Sequence, residues 1–174
     1  MALPKQNLNP FALIQQSPSA WQGLIGKTSS GFLIFQSAYH GVRAGFINLI
    51  NTYLNRGLDT IEKILPVYAP AGHGSNDPGA YISTVERITG IPRNKKIETE
   101  ADLFALGKAI VQVEEGNFWV SLQDFEAGFK AAISEKNFKK VAVVAAGSGL
   151  GILFLVGLIG YLIMNKNKER TQTA

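Results

Sequence analysis

The sequence predicts a mostly α-helical protein: a small helical domain followed by one C-terminal transmembrane helix. Three observations carry this. Apolar residues recur at helical spacing in several segments between residues 38 and 135. Ser/Thr caps and glycine stops bracket most of those segments. An uncharged apolar run, "VAVVAAGSGLGILFLVGLIGYLIM", extends from Val141 to Met164.

The elements follow in order. Residues 1–37 form an irregular N-terminal segment of the soluble domain, punctuated by Pro4, Pro10, Pro18, Gly23, Gly26 and Gly31. Within it "GFLIFQS" is an extended segment or a single strand. A helix is predicted from Ala38 to Arg56, with Val42, Phe46, Leu49, Ile50 and Tyr53 inward and Gly57 as its stop. A short helix beginning at Asp59 or Thr60 carries Ile61, Ile64, Leu65 and Tyr68 and is interrupted near Pro66.

The stretch "YAPAGHGSNDPGAY" (68–81) is a loop that leads into a helix with Tyr81, Val85 and Ile88 on one face, closed by Gly90 and Pro92. Thr99-Glu-Ala-Asp102 has capping-box form and opens a helix with Leu103, Leu106, Ile110 and Val113 inward, ended by Gly116. Ser121-Leu-Gln-Asp124 repeats the pattern for a helix with Leu122, Phe125, Phe129, Ala132 and Ile133 on one side.

The remaining chain reads as membrane anchor. At ~1.5 Å per residue, residues 141–164 extend about 36 Å as a helix, enough to cross a ~30 Å hydrocarbon core. Allowing for its flanks, the transmembrane helix is placed at 139–165 and a basic polar tail at 166–174. Val141, Gly147, Gly151, Leu155, Gly157, Tyr161 and Met164 mark the anchor. Gly147 and Gly151 form a GxxxG pair in a stretch of small residues, which permits close approach to another helix, including a second copy. Pro4, Lys5 and Pro10 interrupt the start of the chain where a signal peptide needs an unbroken apolar core.

Charge is distributed unevenly. Residues 1–135 hold 11 Lys+Arg against 12 Asp+Glu, so the net +4 comes from residue 136 onward. Lys136, Lys139 and Lys140 precede the apolar run, and Lys166, Lys168 and Arg170 follow it. Such clusters attract anionic lipid headgroups and let long side chains snorkel to the interface. The balance across the run is nearly even, so it sets no orientation. With no excess charge on the globular part, nucleic acid is not an expected partner. The absence of cysteine excludes disulfides, thiolate nucleophiles and Cys-ligated zinc.

The 68–81 loop admits three readings. A nucleotide-type phosphate loop follows a strand and ends in Gly-Lys-Ser/Thr; here the preceding segment reads helical and no lysine follows. A metal site needs partners for His73, and His40 is the only other histidine. The third reading, a turn with Asn76 or Asp77 capping a helix whose first residue is Pro78, needs nothing further. No metal and no cofactor are expected.

Cleavage of a sugar chain needs a carboxyl as general acid, usually with a second carboxylate across the bond. Glu62, Glu86, Asp77, Glu114 and Glu115 are the positions to consider. Glu114 stands out because "VEEGNFW" places it where a helix ends beside Trp119, a setting that desolvates a carboxyl and raises its pKa. Trp21 and Trp119 are candidate sugar-stacking rings, with core filling the simpler role for Trp119.

Taken in order, "NLNPFALI" (7–14), "WQG" (21–23), "FLIF" (32–35), "GVRA" (41–44), "GLDTIEKI" (57–64), "YAPAGHGSNDPGAY" (68–81) and "AIVQVEEG" (109–116) resemble a family of phage-encoded virion proteins with a lysozyme-like, muralytic domain. Order and spacing are kept over about 110 residues. The family pattern has glycine and asparagine after Asn-Pro; Phe11 and Ala12 stand there. Lys5 and Gln6 replace an acidic residue, and the His-Glu-Asn-Gly ending reads Val113-Glu114-Glu115-Gly116.

The resemblance implies a lysozyme-like helical domain over 38–138 that faces, or once cleaved, peptidoglycan. Glu114 alone carries over as a possible catalytic acid. The membrane anchor suits tailless phages that enclose a lipid bilayer. The expected function is a membrane-anchored virion structural protein in the virion's internal membrane. It would link that membrane to the capsid or act in passage through the cell envelope. Its partners would be the lipid bilayer, capsid or other virion membrane proteins, and possible peptidoglycan. The alternative is a virion-associated peptidoglycan hydrolase of glycosidase or lytic transglycosylase type, with Glu114 as general acid. A third reading is a bacterial tail-anchored envelope protein unrelated to phage.

Overall fold

Phe46 sits at the centre of the core, with the rings of Phe11, Phe125 and Phe129 packed edge-on around it at 5.2, 5.4 and 4.8 Å. The computed structural model describes residues 5–14, 21–72, 76–136 and 138. All belong to the first of the chain's two units, Met1–Val141.

In chain order the elements are β1 (Leu24–Lys27), β2 (Leu33–Phe35), α1 (Ala38–Asn48), α2 (Ile61–Tyr68), α3 (Pro78–Thr89), α4 (Glu100–Glu115) and α5 (Leu122–Glu135). The expected mostly helical class holds. Between α1 and α2 the helical path continues as a five-residue π turn, Leu49–Tyr53, and a 3₁₀ turn, Leu54–Arg56. It stops at Gly57, whose φ of +79° is the left-handed conformation expected of a terminating glycine. Among the described residues no helix is long and apolar enough to cross a membrane. The span expected at 141–164 lies outside them.

The helix starts were correctly placed by their caps. Asp77 Oδ1 accepts the Ala80 N–H at 3.0 Å with Pro78 as the first helical residue. Thr99 Oγ1 accepts from Asp102 N–H at 3.0 Å and Ser121 Oγ from Asp124 N–H at 3.1 Å. Each satisfies one of the amide groups a helix leaves free at its start. Gly90 and Gly116 end α3 and α4 in the left-handed conformation.

Three details differ from expectation. The helix does not break at Pro66: α2 runs through it to Tyr68. The start of α2 is instead pinned from outside, by Ile97 N–H to Asp59 O at 2.7 Å and Glu62 N–H to Arg93 O at 3.1 Å. Leu122, expected inward, is the first residue of α5 and 57% exposed. The segment before residue 38 contains a hairpin rather than one strand. Its strands β1 and β2 pair antiparallel, with a bulge between Leu24 and Gly26.

The N-terminal loop is irregular yet buried. Asn9 is fully buried; its amide donates to Leu13 O and Leu33 O, both at 3.0 Å, and its Oδ1 accepts from Leu13 N–H at 2.9 Å. The loop rests on bare backbone. A Cβ added at Gly41 would lie 2.1 Å from Leu8 O, one at Gly45 would lie 2.1 Å from the Phe11 ring, and one at Gly107 would lie 2.4 Å from Phe46. Likewise Gly128 lets α5 settle against α1, where a Cβ would meet Tyr39 O at 2.8 Å.

Candidate functional site

Glu114 lies in the last turn of α4 and is half-buried. Tyr81, in the first turn of α3, donates its hydroxyl to Glu114 Oε1 at 2.8 Å. The two meet because α3 and α4 pack together. Burial pushes the Glu114 carboxyl above its ordinary range. The Tyr81 hydrogen bond works against that rise, and the charge of neighbouring Glu115 adds to it.

Behind this pair stand two more tyrosines. The Tyr68 ring lies 6.3 Å from Tyr81 edge-on and 6.1 Å from Tyr53, and its hydroxyl donates to Phe11 O. Burial, together with the Glu114 charge, raises the hydroxyl pKa of both Tyr68 and Tyr81. Glu114 is therefore a carboxyl of raised pKa at the rim of a tyrosine cluster, a setting suited to a general acid.

The other candidate carboxylates lie in different settings. Glu86 accepts from Arg93 through Nε at 2.9 Å and NH2 at 2.6 Å. Asp77 is the cap of α3 and exposed, and Glu62 is exposed. Glu115 accepts from Lys5 N–H. His40 Nδ1 is 2.8 Å from Ser37 Oγ, and its ring occupies the space beside Gly23. His73 lies outside the described residues. Among the described residues no group of three or more His, Asp or Glu side chains is arranged to hold a metal.

Trp119 is half-buried against the core with its Nε1 enclosed and, among the described residues, without a partner, which suits a filler better than a stacking platform. Trp21 is half-buried and lines a surface groove. Lys136 caps the C-terminus of α5 and pairs with Glu135 at 3.1 Å. The other expected lipid-facing and anchor positions are Lys139, Lys140, Val141, Gly147, Gly151, Leu155, Gly157, Tyr161, Met164, Lys166, Lys168 and Arg170. All lie outside the described residues.

The sequence offers Glu114 as a candidate carboxyl but gives no sign of its hydrogen-bond donor. Tyr81 was assigned only to an apolar face, and nothing in the linear spacing connects positions 81 and 114.

With this geometry in place, comparison with known proteins is informative. The chain resembles a phage protein. It is 35% identical over 97 residues to Protein P5 of Pseudoalteromonas phage PM2. The match covers 55% of this chain and 58% of that protein. The chain thus spans less than two thirds of the curated relative's length. No protein-family model matches the chain.

Proposed function

We propose that this chain is a phage virion structural protein held in a membrane by residues 139–165. Its helical domain would be displayed at the bilayer surface for contact with the capsid or for passage through the cell envelope. The observation that carries the reading is the similarity to Protein P5 of phage PM2. The uncharged run 141–164 and its flanking lysines support the membrane part. The residues aligned in the sequence resemblance support a lysozyme-like origin for the helical domain.

Two measurements test it. The chain should be a stoichiometric component of purified particles, and should stay in the membrane fraction after detergent-free disruption and carbonate extraction. Absence from particles would sink the virion assignment. Recovery in the carbonate supernatant would sink the anchor.

A second reading rests on the Glu114 geometry. A half-buried carboxyl of raised pKa is what a glycosidase acid requires, so a peptidoglycan hydrolase with Glu114 as general acid is the alternative. The carboxylate beside it, Glu115, is its neighbour in sequence and is engaged by Lys5 N–H. Purified full-length protein in neutral detergent should leave peptidoglycan turbidity unchanged. Clearing that disappears in Glu114→Gln would replace the structural reading with the enzymatic one.

A further inference from the structure

A second feature, sharing no residue with the Glu114 surroundings, is a shallow groove of about 320 Å³. One wall is the stripe Arg43, Ile47 and Asn51, spaced four residues apart along α1 and the π turn that extends it. Trp21 and Gln22 also line it, as do Glu135 and Lys136 at the end of α5. The volume is at the small end of the ~300–1,000 Å³ typical of ligand clefts, suited to a small headgroup.

Its charge is organised. Arg43 is nearly enclosed, with its side chain 12% exposed, and it donates to Glu135 across the α1–α5 contact. Glu135 also pairs with Lys136, and hydrogen bonds from Lys136 and Arg43 keep its carboxyl below the usual range. One carboxylate between two cations leaves the groove with a single net positive charge. Arg43 has five N–H donors, more than one carboxylate engages. The exposed amides of Gln22 and Asn51 add neutral donors at the rim. Asn51 sits on the five-residue π turn, an uncommon element that gathers at functional sites.

The remaining components point to where the ligand comes from. Tryptophan beside arginine and lysine is the side-chain mixture of membrane–water interfaces. Lys136 precedes Val141 by five residues, a reach of at most about 18 Å along the chain. We infer that this groove binds the phosphodiester headgroup of an anionic phospholipid. Arg43 and Lys136 hold the phosphate, Gln22 and Asn51 bond its oxygens or glycerol hydroxyls, and the Trp21 indole lies along the headgroup. This inference rests on the membrane-anchored reading. A phosphodiester carries one negative charge and matches the groove; free phosphate near neutral pH carries more.

The test uses the full chain in neutral detergent, titrated with dioctanoyl phosphatidylglycerol, dioctanoyl phosphatidylcholine and inorganic phosphate, and followed by calorimetry. Saturable one-to-one binding of the phosphatidylglycerol is expected, at least tenfold tighter than either other ligand. Arg43→Gln and, separately, Lys136→Gln should each weaken it fivefold or more. Lys130→Gln, exposed on α5 and outside the groove lining, should leave it unchanged.

Equal binding of the two lipids would overturn the proposal. So would phosphate binding as tight as the lipid, or indifference to both groove variants. Because Arg43 also braces α1 against α5, its variant is checked by thermal melting. Lys136→Gln and Asn51→Ala, nearer the rim, decide the matter if Arg43→Gln fails to fold. Carbonate extraction of the same proteins separates the two claims. Membrane retention without lipid selectivity removes the groove proposal and keeps the anchor, whereas extraction with lipid selectivity removes the anchor and keeps the groove.

Discussion

Tyr81 Oη and Glu114 Oε1 are 2.8 Å apart, joining the first turn of α3 to the last turn of α4 through one hydrogen bond. Burial is the main reason the Glu114 carboxyl holds its proton above the ordinary value of 4.5, and the Tyr81 donor opposes it. Tyr81→Phe should therefore raise the Glu114 pKa further, read by carbon-13 NMR titration of the carboxyl. A fall would show that the hydrogen bond is not made in solution.

The same shift has a consequence for stability. A carboxyl whose folded pKa is raised binds its proton more tightly in the folded state. Its contribution is fully present below the unfolded value and is lost as pH rises through the folded one. Glu114→Gln keeps an acceptor for Tyr81 and removes the charge. Urea unfolding should show the variant gaining stability over the wild type across that rise and keeping the gain at pH 7. A difference that does not change with pH would contradict the burial argument.

Gly41, Gly45 and Gly107 are contact surfaces, and alanine at any of them meets backbone or an aromatic ring well inside van der Waals distance. Each Gly→Ala substitution should cost about 3 kcal/mol, at the upper end of overpacking effects. Gly57→Ala is the comparison: nothing lies within 4 Å of the added carbon, so only its left-handed φ of +79° is penalised. That should cost about 1 kcal/mol. Equal losses at all four positions would mean that the loop does not rest on α1 and α4 as described.

Ala12 has a φ of +46°, a conformation that glycine and asparagine adopt far more readily than alanine. Ala12→Gly or Ala12→Asn should raise stability by about 0.5–1 kcal/mol. By contrast Asn9→Ala, which removes three buried hydrogen bonds to backbone, should lower it by about 3 kcal/mol. Thermal melts of the three variants check both signs.

The caps of α3, α4 and α5 each bond an amide within their own first turn. Asp77→Ala, Thr99→Ala and Ser121→Ala should each cost about 1 kcal/mol and add when combined. Marked non-additivity in the triple variant would indicate coupling between these helix starts.

What could be read in advance follows from which interactions are local. Asp77, Thr99 and Ser121 act within three residues of themselves, and Gly57, Gly90 and Gly116 act on the turn just completed. The helix ends were therefore legible. The hairpin was not: Leu24–Lys27 contains a glycine and a bulge and has no apolar alternation, so its strand character comes from pairing with Leu33–Phe35. Pro66 was read by its local penalty, but α2 is held at its start by the distant carbonyl of Arg93 and amide of Ile97. The same holds for the candidate sites. Glu114 was visible as a carboxyl at a helix end beside tryptophan, while Tyr81 and the Arg43–Glu135 pair depend on contacts across the fold. Position 12 is instructive: the resemblance marked alanine as a departure, and the positive φ supplies the reason asparagine would suit it.

The seat of Phe11 also bears on how the chain is made. Phe11 leaves the ribosome roughly a hundred residues before Gly107, one of the two glycines that make room for it and Phe46. Until α4 has been synthesised the loop around Asn9 has an incomplete seat, and its large apolar ring stays open to chaperones and to neighbouring nascent chains. The loop around Asn9 is then among the last parts of this domain to be locked in, which favours slow folding and places a risk of misassembly during translation.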